Sequence, residues 1–229
     1  QRSGGDASEA PRPAHGLTSA ADEMDAHEVR AALRGRFGRG TDLLQARGIL
    51  RVLDSHDDLP EALKGDGNRR FDKAIFVSNP PWGPCSYLFA NQTTDGDDAS
   101  RSLLHEVGVH YGLKRMLGDA AYRSVLNRVA GSTLTDAGMA KARQHVEHYY
   151  QRLEHGSDVF WEEVIARAVD QHKPQQQSWY RKMSKGVGRF LSKIGLKSSH
   201  LDSSDLFDIV SGSARRAMWD MQAPRTAHV

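Results

Sequence analysis

Hydrophobic and polar positions repeat with two different periods along this chain, and the period changes near Asn91. Upstream, GILRVLD (48–54) alternates apolar and polar positions as a strand does. KAIFVS (73–78) and SYLFA (86–90) are short runs rich in aromatic and β-branched residues, so they are further strands. The NPPWGPC stretch between them is a loop, because its prolines remove backbone donors that a central strand needs. A short helix over 23–37 precedes the strands, and a Leu-Pro-Glu turn or helix start lies at 59–61. Downstream the period lengthens to that of helices, expected over 98–117, 118–130, 135–154, 157–172, 178–194 and 203–219. In the third of these, Met139, Ala142, Val146, Tyr149 and Leu153 form one apolar stripe. Strands followed by helices predict an α+β fold, with a short three-stranded sheet and a mostly helical C-terminal half.

Residues 1–22 have no periodicity and are rich in Gly, Ser, Ala and Pro, which reads as a disordered linker cut from a longer polypeptide. The expected organisation is a core over 23–173 and a helical C-terminal extension over 174–229 packed on it. Composition narrows the chemistry. With 31 basic and 29 acidic residues the chain of 229 carries a net charge of +2, which excludes a wholesale nucleic-acid binder. No apolar run reaches the length of a membrane span, and no leader pattern is visible, so the expected location is cytoplasmic, including delivery into a host cell. The single cysteine, Cys85, excludes a disulfide framework and a cysteine-based zinc cluster. Eleven histidines make imidazole, with carboxylate, the available metal ligand.

The segment with chemical content is SLLHEVGVHYGLKRMLG (102–118), which places His105, Glu106 and His110 in one helical run. Zinc hydrolases use two histidines a helical turn apart, with a glutamate beside the first that accepts a proton from water acidified by the metal. Here the spacing is one residue too long. On a regular helix, residues five apart lie about 140° apart around the axis, too far to share an ion. Two repairs restore a common face: a π-bulge near Gly108, or a pairing of Glu106 with His110 that leaves His105 structural. The plain alternative is a buried helix whose histidines are satisfied. A third ligand is sought in DVFWEEVIARAVD (158–170), where Glu162 and Glu163 flank opposite sides of an apolar arc and periodicity does not choose between them.

LLHEVGVHYGL followed some fifty residues later by WEEVIARAV resembles the zincin-like metallopeptidase domains of phage and mobile-element polyvalent proteins. RKMSKGVGRFLSKIG (181–195) and SSDLFDIV (203–210) fill the basic amphipathic helix and the final helix of that pattern, and the likeness spans roughly 45–215. The lengthened motif and the Glu-Glu pair are also similar to those of the dipeptidyl peptidase III family, a guide to spacing only. The resemblance implies a zinc-dependent metalloprotease, endopeptidase ahead of exopeptidase. His105 and His110 match its histidine ligands, Glu106 its general base, and Glu163 its third ligand, with Glu162 as the fallback. The substrate would be a protein or peptide: the parent polyprotein, a host protein or a neighbouring effector.

A donor for the oxyanion is sought among Tyr111, His148, Tyr149 and Tyr150, although Tyr149 sits on an apolar stripe that favours packing. His145 and His148 have the spacing of a second metal pair, but solvated surface histidines are the simpler reading. SYLFANQ, just before the zinc helix, is a candidate edge for strand addition by a peptide. Residues 171–201 hold seven Lys or Arg and no Asp or Glu. Such a helix can meet nucleic acid or an anionic membrane through 173–197, but docking of its apolar face on the core is the favoured expectation. Contacts with other domains of a larger polypeptide are expected too. The rival functions are a catalytically inactive zincin-like binding module for protein or nucleic acid, and a purely structural segment.

Overall fold

In a computed structural model, the described residues are 23–64, 72–78, 83–151, 153–171 and 203–220. The segments 1–22 and 172–202, and with them the expected linker and basic helix, lie outside the described residues. Helix α1 (Ala26–Phe37) starts at a reciprocal cap: Asp25 Oδ1 accepts from the Glu28 amide at 2.8 Å, and Glu28 Oε2 accepts from the Asp25 amide at 3.0 Å. It buries Ala26, Val29 and Leu33. A short helix absent from the sequence reading, α2 (Gly40–Ala46), leads into the sheet.

Strands β1 (Leu50–Leu53), β2 (Ala74–Val77) and β3 (Cys85–Phe89) lie in the order β1-β3-β2. β3 is parallel to β1, with Leu50 opposite Ser86, and antiparallel to β2, with Ile75 opposite Tyr87. Every residue of β3 is buried, as befits a strand paired on both sides and covered on both faces. Its alternate side chains serve two clusters. Cys85, Tyr87 and Phe89 pack with Leu59 and Ile75, whereas Leu88 joins Leu50, Val52 and the first helix.

After the sheet the chain is helical, so the fold is α+β. Helix α3 (Gly96–Leu103), capped by Asp95, runs without a break into a ten-residue π-helix, Leu104–Leu113. Helix α4 (Lys114–Ser132) follows, bent where Gly118 adopts φ 72° and ψ 165°. Helix α5 (Ala137–Tyr149) is capped by Asp136, and α6 (Asp158–Gln171) by Ser157, whose hydroxyl accepts from the Phe160 amide at 3.2 Å. Helix α7 (Ser203–Asp220) closes the described chain. Among the described residues no helix is long and apolar enough to cross a membrane.

The π-helix is the wall between the two larger hydrophobic clusters. Leu104, Val109 and Leu113 face the cluster built with α4, α5 and α6, while Val107 and Tyr111 face the one built with the sheet and α1. Helix α7 spans both as well, with Leu206, Ile209 and Val210 in the first and Ala217 and Met218 in the second. Two glycines permit the crossing. A Cβ on Gly108 would lie 2.7 Å from Val210 Cγ1 and 2.8 Å from the Val210 carbonyl oxygen, and one on Gly112 would collide with the Ser213 hydroxyl. The Ser213 hydroxyl instead donates to the Gly108 carbonyl at 2.6 Å. The last described helix therefore contributes to both clusters.

Gly108→Ala should cost about 1–3 kcal/mol of stability by forcing α7 outward. Gly131→Ala, whose Cβ meets open space on α4, should be neutral or stabilising by up to about 1 kcal/mol. Urea denaturation midpoints compare the two, and equal midpoints would contradict the close crossing.

Candidate metal centre

The π-helix resolves the spacing of the histidine motif. Its backbone bonds run from residue i to i+5, so residues five apart return to one face. His105 and His110 accordingly stand side by side, ring centroids 5.2 Å apart. The reading in which His105 is merely structural is not what the fold presents. Opposite them, α6 delivers Glu163: its Oε2 lies 3.6 Å from His105 Nε2 and its Oε1 3.3 Å from His110 Nε2. One ligand atom from each of His105, His110 and Glu163 falls within 4.8 Å of the others, so this group could hold a metal ion.

The outward nitrogens are backed by carboxylates. His110 Nδ1 is 3.0 Å from Glu162 Oε2, and the Tyr122 hydroxyl donates to Glu162 Oε1 at 2.6 Å. His105 Nδ1 is 3.5 Å from Asp170 Oδ2. Carboxylates behind metal-ligating imidazoles fix the tautomer and ring orientation and raise ligand basicity. Glu162, the fallback ligand, stands in this outer position and Glu163 in the inner one. The difference is the 100° that one residue turns an α-helix. Glu106 is buried, with Oε1 3.9 Å from His105 Nε2, and the Phe76 ring stacks on His110 at 5.9 Å.

These groups line a cavity of about 760 Å³ between β2, α3, the π-helix and α6. Tyr150 lines it, but Tyr149, its neighbour, does not: Tyr149 is 54% exposed and packs on His145 and His148. The stripe on α5 ends at Val146, so neither expected role of Tyr149, core packing or donor, is visible. Tyr111 is buried in the sheet-side cluster beneath Arg115, whose guanidinium lies 4.5 Å from the ring centre. His145 and His148 gather no third ligand among the described residues. β3, proposed from sequence as an edge for strand addition, is the central strand with a partner on each side, so that edge does not exist.

Comparisons with protein-family models, curated proteins and solved structures return no match. The chemistry of the centre therefore rests on its own geometry. Four acidic groups, Glu106, Glu162, Glu163 and Asp170, surround two imidazoles in a buried site. Burial opposes charge on His110, but the carboxylates of Glu162 and Glu163 outweigh it and push the pKa up to about 9. His105 is likewise raised well above its ordinary value, against burial, by Glu106, Asp170 and Glu163. Glu163 is buried too, yet hydrogen bonds from both histidines hold it far below the usual carboxylate range. Glu106 is raised, because burial and the nearby Glu163 and Asp170 outweigh the attraction of the histidines. Burial, then Glu163, Asp72, Glu106 and Asp170, raises the Tyr150 hydroxyl, which keeps its proton at neutral pH.

The carboxylates thus favour the charged form of both imidazoles. A raised histidine pKa contributes stability that is complete below the unfolded value of 6.5 and is lost as pH climbs through about 9. A bound divalent cation needs no such protons, since its ligands are neutral imidazole and carboxylate. Thermal unfolding with and without chelator should show the chelated protein losing stability between pH 6.5 and 9. The loaded protein should not, so the gap should widen as pH rises. Parallel curves would contradict this charge balance.

Proposed function

We propose that this chain is a zinc-dependent peptidase domain of the zincin type. The observation that carries the reading is the convergence of His105 Nε2, His110 Nε2 and Glu163 on one point, with the Glu106 carboxyl beside it and a carboxylate behind each imidazole. Two imidazoles and one carboxylate form a donor set that suits zinc and leaves a coordination position open. Bound there, zinc would acidify water toward neutrality and polarise a carbonyl.

The chain's own groups supply the rest. Glu106, with its raised pKa, is matched to take the proton of the attacking water and pass it to the leaving amine. Tyr150, protonated and lining the cavity, would donate to the developing oxyanion. Substrate geometry follows from the sheet. The outer edge of β1 is engaged by α1, where the Arg30 guanidinium donates to the Val52 carbonyl at 2.6 Å. β2 is the other edge of the sheet, and Ala74, Ile75 and Phe76 line the cavity beside the histidines. An extended peptide added to β2 would present successive backbone carbonyls to the centre. A protein segment from the parent polypeptide or from a host fits this edge equally well.

Purified protein should carry about one zinc per chain, removable by chelator. Glu106→Gln should keep that zinc while hydrolysis of a quenched fluorescent peptide library falls by about 10²–10⁴-fold. Zinc without cleavage of any library member by the unaltered chain would favour the binding-module reading. A chain that takes up no zinc would contradict both.

A further inference from the structure

Three cationic side chains line the cavity of the metal centre: Lys73, Arg101 and Arg167. Two of them are already committed, because Asp98 accepts from the Lys73 ammonium at 2.7 Å and lies 3.4 Å from the Arg101 guanidinium. Arg167 differs. Its Nε is buried without a hydrogen-bond partner, and no ion pair to its guanidinium is found among the described residues. This holds although Glu163 and Asp170 precede and follow it on the same face of α6, at four- and three-residue separations. Both carboxylates are turned to the histidines instead.

A guanidinium with a buried, unpartnered Nε and no carboxylate partner, in a cavity rich in carboxylates, is a mismatch that a ligand can remove. We propose that Arg167 is a docking residue for a carboxylate of the substrate. The inference rests on the peptidase reading and adds a substrate class to it. Four residues separate Arg167 from Glu163, so their Cβ atoms lie about 5–6 Å apart. A carboxylate on the guanidinium is then within about two residues of a carbonyl held at the His105, His110 and Glu163 group. Two sources present a carboxylate at that distance: the C-terminus of a peptide, or an acidic side chain beside the bond to be cut. The first makes the domain a carboxypeptidase, and the second makes it selective for acidic sequences.

The test uses the zinc-loaded full chain and calorimetry rather than turnover. The probes are 2-benzylsuccinate, which has two carboxylates, 3-phenylpropionate, which has one, and acetohydroxamate, which needs only the metal. The unaltered chain should bind 2-benzylsuccinate about tenfold or more tightly than 3-phenylpropionate, and Arg167→Gln should abolish that preference. Arg167→Lys should retain part of it, and acetohydroxamate affinity should stay within about twofold throughout, because that probe does not reach Arg167. Equal affinity of the unaltered chain for the two carboxylate probes overturns the proposal whether or not a variant folds, as does a preference that survives in Arg167→Gln. Failure of acetohydroxamate to bind the unaltered chain would mark failure of the metal reading itself, and this inference would fall with it. In zinc-loaded Glu106→Gln, a tetrapeptide with a free C-terminus, its amide, and the amide carrying an internal aspartate then separate the two sources. Tight binding of the first points to the terminus and of the third to an acidic side chain, and equal binding of all three overturns the proposal.

Discussion

The close crossing of α7 over Gly108 and Gly112 holds the backbone between Leu104 and Leu113 in its π-helical winding. An isolated π-helix is a poor competitor to the α-helix. Here Val210 and Ser213 fill the space that side chains on a tighter helix would need, and the Ser213 hydroxyl engages the Gly108 carbonyl. The same winding sorts the apolar residues of this segment onto two cores and turns His105 and His110 to one side. Packing and chemistry thus share a single constraint. Side chains on α7, about a hundred residues downstream, pack against the segment that carries the histidine pair.

Charge is the second determinant of the centre. The carboxylates of Glu106, Glu162, Glu163 and Asp170 surround the two imidazoles and favour their charged form. The His105, His110 and Glu163 group could hold a metal ion, and an ion bound there would displace protons from the imidazoles. Tyr122 anchors Glu162, Glu162 orients His110, and Asp170 orients His105, so both rings are fixed before any ion arrives.

Much of this was legible in the sequence. Strands β1 and β2 lie within the expected runs and β3 starts one residue early, at Cys85, because alternation and β-branched content are local signals. The helices α5, α6 and α7 start and end within a few residues of the periodic stretches. Helix α2 escaped notice because GTDLLQA has no period of its own and is set against Met218 from the far end of the chain. The motif itself showed that His105 and His110 were one residue out of phase, but not which repair applied, since the repair depends on α7. The choice of Glu163 over Glu162 depends on the rotation of α6 about its axis, which a helical pattern leaves free. Asp170 could have been found, because it lies seven residues from Glu163 and so on the same face. Arg167, four residues from Glu163, shares that face, whereas Tyr122 carries no sequence signal and only packing brings it to the centre. Tyr149 shows the reverse failure: its place on a periodic stripe suggested burial, but the helix ends there and leaves it exposed.

X-ray absorption at the zinc edge, on the full chain loaded with one equivalent of zinc, tests the account most directly. Two imidazole nitrogens at about 2.0–2.1 Å and carboxylate oxygen at about 2.0–2.2 Å, with outer-shell scattering from two rings, are expected if the π-helix presents His105 and His110 together with Glu163. A first shell with a single imidazole, or with none, would contradict it.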